Sequence, residues 1–350
     1  MQEAGDRARN VPDPLLLSTS NSGSAGPSVR LGDMMNISVN ALSYHYIPID
    51  APPPSPTVIM DFLEFAHQLG VGGVDLEDRL FASTEREYLL DVRARADVLG
   101  LKLLSLGMKI DFSIIPDRDS TNAEIARAER WVDVAAHLGV PLLRLAGNGF
   151  KGAEDPELVW ELITEKFRRV VAHAQRAGVA VGLHNHNHGA VPSTAPQVHR
   201  LLDDVPGLQL ILDVGQFVGS PGAGAAGQNL PPQPATDELY EHIRGVASRA
   251  HTIRTKFYML KQVDFQPAAT SVTLHPTTIA RAEELLLDYE RIFQILKEAQ
   301  FAGWLSIVYE GKTTGSDFSS KGEEVSVALP MAVQRLRRGI SEGGQHGPKL

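Results

Sequence analysis

The sequence contains no cysteine among its 350 residues. Disulfide bonds, thiolate metal sites and cysteine nucleophiles are therefore excluded from any account of its function. Long apolar runs are also missing, since none approaches the ~20 residues that a membrane-spanning helix needs. The only apolar run near the start, residues 15–17, is too short for the core of a signal peptide. We therefore expect a cytoplasmic protein with no membrane partner.

Excess positive charge is lacking as well. The formal net charge is -9, which disfavours a nucleic-acid partner because such a partner would require a basic face. The length fits one barrel domain of ~250 residues with additional tails. Residues 1–34 are rich in Ser, Gly, Pro and Asn, and residues 341–350 are similar, so both are predicted to be disordered tails around a domain at residues 35–340.

One phrase recurs along the chain, in which a helical run ends in glycine and an apolar strand follows. Examples are AHQLG-VGGVDL, AHLG-VPLLRL, QRAG-VAVGLH and QFAG-WLSIVY. Glycine suits the left-handed position that ends a helix, and the apolar stretch suits a parallel strand buried on both faces. The pattern predicts eight strands, at residues 36–43, 73–76, 101–106, 142–145, 179–184, 208–213, 251–256 and 304–309.

Eight strands alternating with helices predict an α/β fold, a single (β/α)8 TIM barrel. A doubly wound open sheet is the alternative, but SVNALSYHYIP after the first strand is not the glycine-rich phosphate turn of such sheets. Residues 217–236, after strand six, are interpreted either as a lid or as a disordered insertion. A second loop, QVDFQPAATSVTLHP, follows strand seven, and both loops are expected to overhang the pocket.

Polar residues collect where the predicted strands end, which is where TIM barrels build their active sites. Such residues must be solvated or paired, and a pocket for a polar small molecule would account for all of them. The candidate substrate-binding residues are Glu77, Lys109, Arg144, Asn148, Gln216 and Arg254. The candidates for proton transfer or electrostatic support are His184, His186, Lys256 and Glu310.

The sharpest local motif is HNHNH at residues 184–188. Alternate residues of a strand share a side, so His184, His186 and His188 could point together and bind zinc, iron or manganese. The alternative is a polar strand end whose histidines bond to neighbours and water. Lys256 could similarly form a Schiff base, or it could be a paired lysine.

Several of these segments together resemble the xylose isomerase-like TIM-barrel superfamily, in particular its sugar phosphate isomerase/epimerase group. The resemblance covers about residues 36–340. It rests on LGVGGVDL at strand two, AGVAVGLHNHNHG with STAPQVHRLLDDV after it, LQLILDVGQF at strand six, RTKFY at strand seven and GWLSIVYEG at strand eight. The resemblance implies a TIM barrel and isomerase or epimerase chemistry in carbohydrate metabolism.

The family's metal site uses a Glu ending strand five, an Asp ending strand six, a His on strand seven and a Glu on strand eight. The resemblance places His184 at the first position, Asp213 at the second, Arg254 at the third and Val308 at the fourth. Gln216 replaces a His that usually follows the Asp by three residues. Only Asp213 is retained.

Charge counting indicates the effect of replacing the family's metal ligands. The family's four residues and a divalent ion sum to about -1, whereas here the same positions sum to about 0 without an ion and about +2 with one, a costly buried charge. We therefore predict that Arg254 pairs with Asp213 and that no cofactor is favoured. The alternative is that His184, His186 and Asp213 bind Mn, Zn, Fe or Co from one side of the pocket.

Two functions follow from the sequence. The first is a divergent enzyme that isomerises, epimerises or eliminates by proton transfer on a sugar-like or polyhydroxylated small molecule, with His184 or His186 as base. The second is a non-catalytic barrel that binds a ligand or serves as the partner subunit of an active enzyme. A homo-oligomer or a second barrel subunit is a further expected partner.

Overall fold

The computed structural model describes residues 35–44, 53–113, 118–146, 155–187, 190–221, 233–265, 279–310 and 321–343. Six sequence predictions fall wholly or partly outside these ranges. They are the N-terminal tail at residues 1–34, Asn148, His188, the centre of the long loop at residues 222–232, residues 266–276 of the second loop, and the C-terminal residues 344–350.

Eight parallel strands form a closed barrel in sequence order, which confirms the predicted (β/α)8 fold. Each strand pairs with its successor, and the last barrel strand pairs with the first. The barrel strands are β1 (Asn36–Asn40), β2 (Gly73–Glu77), β3 (Lys102–Lys109), β4 (Leu142–Ala146), β5 (Ala180–His184), β6 (Leu208–Asp213), β7 (Ala250–Phe257) and β10 (Trp304–Tyr309).

Helices lie between the strands and cover the outside of the barrel. Helix α5 shows the local cause: the Asp155 carboxylate accepts hydrogen bonds from the amides of Glu157 and Leu158 at its start, and Gly178 ends it in the left-handed conformation at φ 73°. No helix in the described ranges is long and apolar enough to cross a bilayer. The helices are α1 (Ala41–Tyr44), α2 (Thr57–Leu69), α3 (Arg86–Val98), α4 (Arg118–Leu138), α5 (Pro156–Ala177), α6 (Ala195–Asp204), α7 (Asp237–Val246), α8 (Tyr289–Glu298) and α9 (Lys321–Gly343).

The structure departs from the predicted elements in two places. Strand β1 ends at Asn40, and the residues that were predicted to continue it form the helical turn α1. The segment after β7 was predicted to be a loop over the pocket, but its described residues 262–265 belong to a strand. The segment contains an antiparallel hairpin of β8 (Leu260–Phe265) and β9 (Ile279–Glu284).

The hairpin is held by the last helix. Arg338 of α9 contacts the Glu283 carboxylate at 2.6 Å, and the Arg335 Nε atom lies 3.1 Å from the other oxygen of the same group. The hairpin therefore packs against α9, on the outside of the barrel.

Glu284 joins this hairpin to the exit of β7. Its carboxylate accepts hydrogen bonds from the backbone amides of Tyr258 at 2.9 Å, Met259 at 2.8 Å and Leu286 at 3.0 Å. Burial raises the pKa of Glu284 to about 7, because the loss of hydration outweighs the three amide donors.

The raised pKa of Glu284 predicts a pH-dependent stability. The folded protein binds this proton more tightly than the unfolded chain does, so the stabilisation is complete below the unfolded pKa of 4.5 and is lost as pH rises through about 7. The Glu284→Gln variant should remove a decline on the order of 1–3 kcal/mol in the free energy of unfolding across that window. Urea titrations of both proteins at several pH values measure this. If the free energy of unfolding of the variant fell with pH as steeply as that of the wild-type protein, Glu284 would not be the group responsible.

Candidate functional site

Five ionisable side chains meet inside the barrel at the carboxyl ends of different strands. Parallel pairing brings these ends to one edge, and the alternation of side chains along each strand turns them inward. All five are buried. They are Glu77 on β2, Arg144 on β4, His184 on β5, Asp213 on β6 and Arg254 on β7.

The first half of this cluster runs from β2 to β5. The Arg144 Nη2 atom donates to both oxygens of Glu77, at 2.8 and 2.6 Å. Its Nη1 atom lies 3.1 Å from Nδ1 of His184. Because a guanidinium only donates hydrogen bonds, Nδ1 of His184 is the acceptor.

The second half returns to β2. The Nε2 atom of His184 lies 3.2 Å from Oδ2 of Asp213, and Nε of Arg254 lies 3.4 Å from the same oxygen. The Arg254 Nη1 atom then approaches Oε1 of Glu77 at 3.8 Å. The five side chains thus form a closed loop of polar contacts, which we term the ionic ring. The predicted pairing of Arg254 with Asp213 is confirmed.

Within the ionic ring His184 is neutral. Burial lowers the pKa of His184 well below 6.5, and the nearby Arg254 and Arg144 cations lower it further, although Asp213 acts in the opposite direction. A neutral imidazole has one donor nitrogen and one acceptor nitrogen. Because Nδ1 accepts from Arg144, the proton lies on Nε2, which donates to Asp213. The lone pair of His184 consequently faces Arg144.

The two carboxylates of the ionic ring are ionised. Burial opposes this state for Glu77, but Arg144 and Arg254 hold its pKa below the ordinary value. Burial likewise opposes ionisation of Asp213, yet Lys256 and the hydrogen bond from His184 hold the pKa of Asp213 well below its usual range. The ring therefore contains two anions and two cations around a neutral imidazole.

Two asparagines that were not among the candidate site residues position Glu77 and Asp213 of the ionic ring. Asn40, the last residue of β1, donates to Oε1 of Glu77 at 2.9 Å. The Asn185 amide donates to the backbone oxygen of Asp213 at 2.9 Å and accepts from its backbone nitrogen at 2.8 Å. Their positions at the carboxyl ends of strands are the sequence feature that could have identified them as site residues.

Below the ionic ring lies another buried carboxylate, Asp75 of β2. It accepts hydrogen bonds from the hydroxyl groups of Ser38 at 3.0 Å, Ser105 at 2.5 Å and Ser306 at 2.7 Å. These serines come from β1, β3 and β10. Polar groups thus fill two successive levels of the barrel interior beneath its open end.

Gly107 of β3 makes room for the ring, a role that the sequence signalled only as a glycine inside a strand. A Cβ atom at this position would lie 2.8 Å from Nε of Arg144 and would overlap the Glu77 carboxylate. Gly107→Ala is expected to lower the free energy of unfolding by about 1–3 kcal/mol because it forces the Glu77–Arg144 pair apart. Chemical denaturation measures this. The control is Gly245→Ala at an exposed position of α7, where the nearest atom to the added Cβ lies at 3.2 Å. Equal effects of the two substitutions would contradict the assignment.

Lys256 and Glu310 form an ion pair above the ionic ring. The Lys256 ammonium contacts the Glu310 carboxylate and also lies 3.6 Å from Oδ2 of Asp213. The Lys256 side chain is buried, whereas that of Glu310 is 31% exposed. The His186 ring is half-buried and stands perpendicular to the ring of His184, with centroids 5.8 Å apart. All four candidates for proton transfer therefore belong to one constellation.

The remaining candidates lie further from this centre. Lys109 ends β3 with an exposed side chain, and its backbone oxygen accepts from Arg127. Gln216 is buried, and its Oε1 atom accepts from the backbone amide of Asn187 at 3.5 Å. Neither residue shows a side-chain contact with the ionic ring. Asn148 lies outside the described residues.

Comparison with known proteins identifies the fold family. A family model described as xylose isomerase-like TIM barrel matches residues 63–328, more than half of the sequence. The chain belongs to this family. The resemblance seen in the sequence motifs is thereby confirmed. No match is found among curated proteins.

Solved structures with the same fold cover nearly the whole barrel. L-ribulose 3-epimerase is 14% identical with a TM-score of 0.62, covering 90% of this chain and 100% of the other. D-psicose 3-epimerase from Clostridium cellulolyticum H10 is 14% identical with a TM-score of 0.57, covering 89% and 96%. A xylose isomerase domain protein from Planctomyces limnophilus is 18% identical with a TM-score of 0.55, covering 88% and 98%. At these identities the similarity shows the fold alone.

The residues at the metal position expected of the family do not fit a metal ion. Arg254 cannot be a ligand because its guanidinium is always protonated. Val308, which pairs in register with Lys256 and is buried on β10, offers no donor atom. Within the described ranges, no three His, Asp or Glu side chains are grouped so that they could hold a metal. His184 and Asp213 point to each other instead.

Proposed function

We propose that this chain is a divergent sugar isomerase- or epimerase-like enzyme that transfers a proton on a polyhydroxylated carbonyl compound. The observation that carries the proposal is the Lys256–Glu310 pair, in which a partly exposed carboxylate contacts a buried ammonium at the open end of the barrel. A carboxylate beside a cation is a base that can approach a substrate from the pocket while a positive charge remains close to it.

The position of Glu310 supports this role. Its backbone amide donates to the oxygen of Phe257 at 2.9 Å, so the ladder between β10 and β7 continues to this residue. Two residues after Val308, Glu310 lies on the same side of the strand and ~6–7 Å closer to the open end. A carboxylate is therefore present directly after the eighth barrel strand, two residues beyond the family's position.

The proposed reaction uses only side chains of this chain. The Glu310 carboxylate removes the proton from the carbon next to the substrate carbonyl, and the electron pair moves to the carbonyl oxygen. The Lys256 ammonium stabilises the resulting enolate oxygen. Delivery of a proton by His186 to the opposite face of the same carbon completes epimerisation. Return of the proton by Glu310 to the carbonyl carbon, with transfer of the adjacent hydroxyl proton to the enolate oxygen, completes isomerisation instead. If the carbon next to the enolate carries a hydroxyl group, the electron pair can instead expel this group, which takes the proton from Glu310 and leaves as water, giving elimination.

In this reaction the ionic ring would have a structural role, as a rigid layer of bonded side chains beneath the substrate. Arg144 and Arg254 are buried and bonded to protein carboxylates, so we assign the contacts with substrate to exposed or half-buried groups such as Lys109 and His186. His184 is assigned to the ring because its lone pair faces Arg144. The names of the structural relatives, L-ribulose 3-epimerase and D-psicose 3-epimerase, support ketoses as the first substrates to test.

Proton exchange tests the reaction class without knowledge of the product. The purified full-length chain is incubated in D2O with a panel of ketoses, aldoses and their phosphates, and NMR follows the proton next to the carbonyl. At least one compound is expected to lose this signal faster than with the Glu310→Gln variant. No enzyme-dependent exchange on any compound would reject the proposal.

A non-catalytic barrel is the second candidate function. It is favoured by the ionic ring, in which each carboxylate is already paired with a guanidinium group of the protein, and by Val308 at the position of the family's second carboxylate. A binding protein should show a ligand-dependent rise in its thermal midpoint without exchange in the NMR experiment. A partner subunit should co-elute with a second, catalytically active barrel from native extracts.

A further inference from the structure

We propose that the guanidinium of Arg254 is a built-in replacement for a divalent cation, which links buried carboxylates of the barrel as a metal ion would and excludes the metal. The inference concerns the ionic ring and is independent of the proton transfer assigned to Lys256 and Glu310. It is tested by metal uptake, so either proposal can fail while the other stands.

The first argument is the occupancy of Asp213, the one retained family ligand. Its Oδ2 atom faces three cationic or donor groups, namely His184 at 3.2 Å, Arg254 at 3.4 Å and Lys256 at 3.6 Å. Its Oδ1 atom accepts from the backbone amide of Gly215 at 3.0 Å. Both oxygens are therefore in use, and a metal ion would have to displace Arg254 and Lys256 to reach Oδ2 or the Gly215 amide to reach Oδ1.

The second argument is where Arg254 reaches. Its guanidinium lies between Asp213 on β6 and Glu77 on β2, two carboxylates from strands that are not neighbours in the barrel. A cation that links carboxylates across the interior is the arrangement that a metal ion would otherwise provide. Here a side chain anchored on β7 provides it, with the charge fixed at every physiological pH.

The third argument is the charge balance within the ionic ring and the Lys256–Glu310 pair. Glu77 and Asp213 are balanced by Arg144 and Arg254, Lys256 is balanced by Glu310, and His184 is neutral. Addition of a divalent ion to this set would leave two uncompensated positive charges in a buried site, which is unfavourable. The obstacle to metal binding is therefore the cation on Arg254 as well as the missing donors.

The test separates these two obstacles with matched variants and uses Mn2+ as the probe. Uptake is followed by the loss of the electron paramagnetic resonance signal of free Mn2+ in titrations of full-length protein. The double variant Arg254→His, Val308→Glu removes the cation and supplies two donors beside His184 and Asp213. It is expected to bind one Mn2+ per chain, and addition of Asp213→Asn should abolish that binding.

The matched control is Val308→Glu alone, which adds a carboxylate but keeps Arg254. It is expected to leave the signal of free Mn2+ unchanged, as is the wild-type protein. The proposal is overturned if wild-type protein binds one Mn2+ per chain and loses it on Asp213→Asn, or if Val308→Glu alone binds as well as the double variant. It is also overturned if a folded double variant takes up no Mn2+.

Should the double variant be strongly destabilised without metal, its thermal midpoint with and without Mn2+ provides the second measurement. The proposal then requires that Mn2+ raises the midpoint of the double variant while leaving that of Val308→Glu unchanged. Equal responses of the two proteins to Mn2+ would overturn it.

Discussion

The Arg144→Met variant is expected to lose about 3–5 kcal/mol of its free energy of unfolding, because removal of one partner leaves a buried charge without compensation. Arg144 donates two hydrogen bonds to Glu77 and contacts His184. After the substitution, Glu77 retains the Asn40 amide and the more distant Arg254, at 3.8 Å. Urea denaturation followed by circular dichroism measures the loss.

Two further variants show whether the loss comes from the buried charge. Arg200→Met breaks a pair of similar geometry, with Glu157 at 2.5 Å, whose side chains are 44% and 68% exposed, and it should cost less than about 1 kcal/mol. Addition of Glu77→Gln to Arg144→Met removes the unpaired anion and should recover part of the stability. A loss for Arg144→Met no greater than that for Arg200→Met would contradict the ionic ring as a buried, coupled unit.

The barrel was predictable because its signals are local. A helix end at glycine followed by an apolar strand is contained within about ten residues, and each repeat describes one βα unit. The hairpin of β8 and β9 escaped prediction for the opposite reason. Its register joins Leu260 to Glu284, and neither strand has a hydrophobic pattern that identifies it without the other and without the arginines of α9.

The candidate site was predictable in its membership and less so in its pairing. Residues at strand ends meet because all parallel strands end at one edge, so Glu77, Arg144, His184, Asp213 and Arg254 were selected from position alone. Charge complementarity also indicated the contact between Asp213 and Arg254. The contact of Arg254 with Glu77 depends on closure of the barrel through β10 and β1, which makes β7 and β2 face one interior.

The state of His184 required the three-dimensional network. The sequence offered it as a base or a metal ligand, and both roles need a free lone pair. The structure directs that lone pair at Arg144 and the remaining proton at Asp213. Because two residues from different strands create this state, spacing along β5 could not indicate it.

Loss of the Glu310 carboxylate is expected to have the largest effect on activity. In Glu310→Gln the side chain keeps its shape but cannot accept the substrate proton, so the rate of proton exchange should fall by about 10²–10⁴-fold. Stability should change little, because Glu310 is 31% exposed and Lys256 keeps its contact with Asp213. The NMR exchange assay in D2O and a thermal melt of the same preparation measure the two quantities.

A second pair of variants distinguishes proton transfer by Glu310 from a merely structural role. Glu157→Gln alters an exposed carboxylate that pairs with an arginine on the protein surface, and it should leave the exchange rate unchanged. Lys256→Met should lower the exchange rate as well, because it removes the positive charge that stabilises the enolate oxygen. It should also destabilise the fold, because the buried Asp213 carboxylate loses one of its cationic partners. Both variants should therefore lose exchange rate, but only Glu310→Gln should do so at a nearly unchanged thermal midpoint. If Glu310→Gln retains the wild-type exchange rate, the base must be sought elsewhere, first at His186.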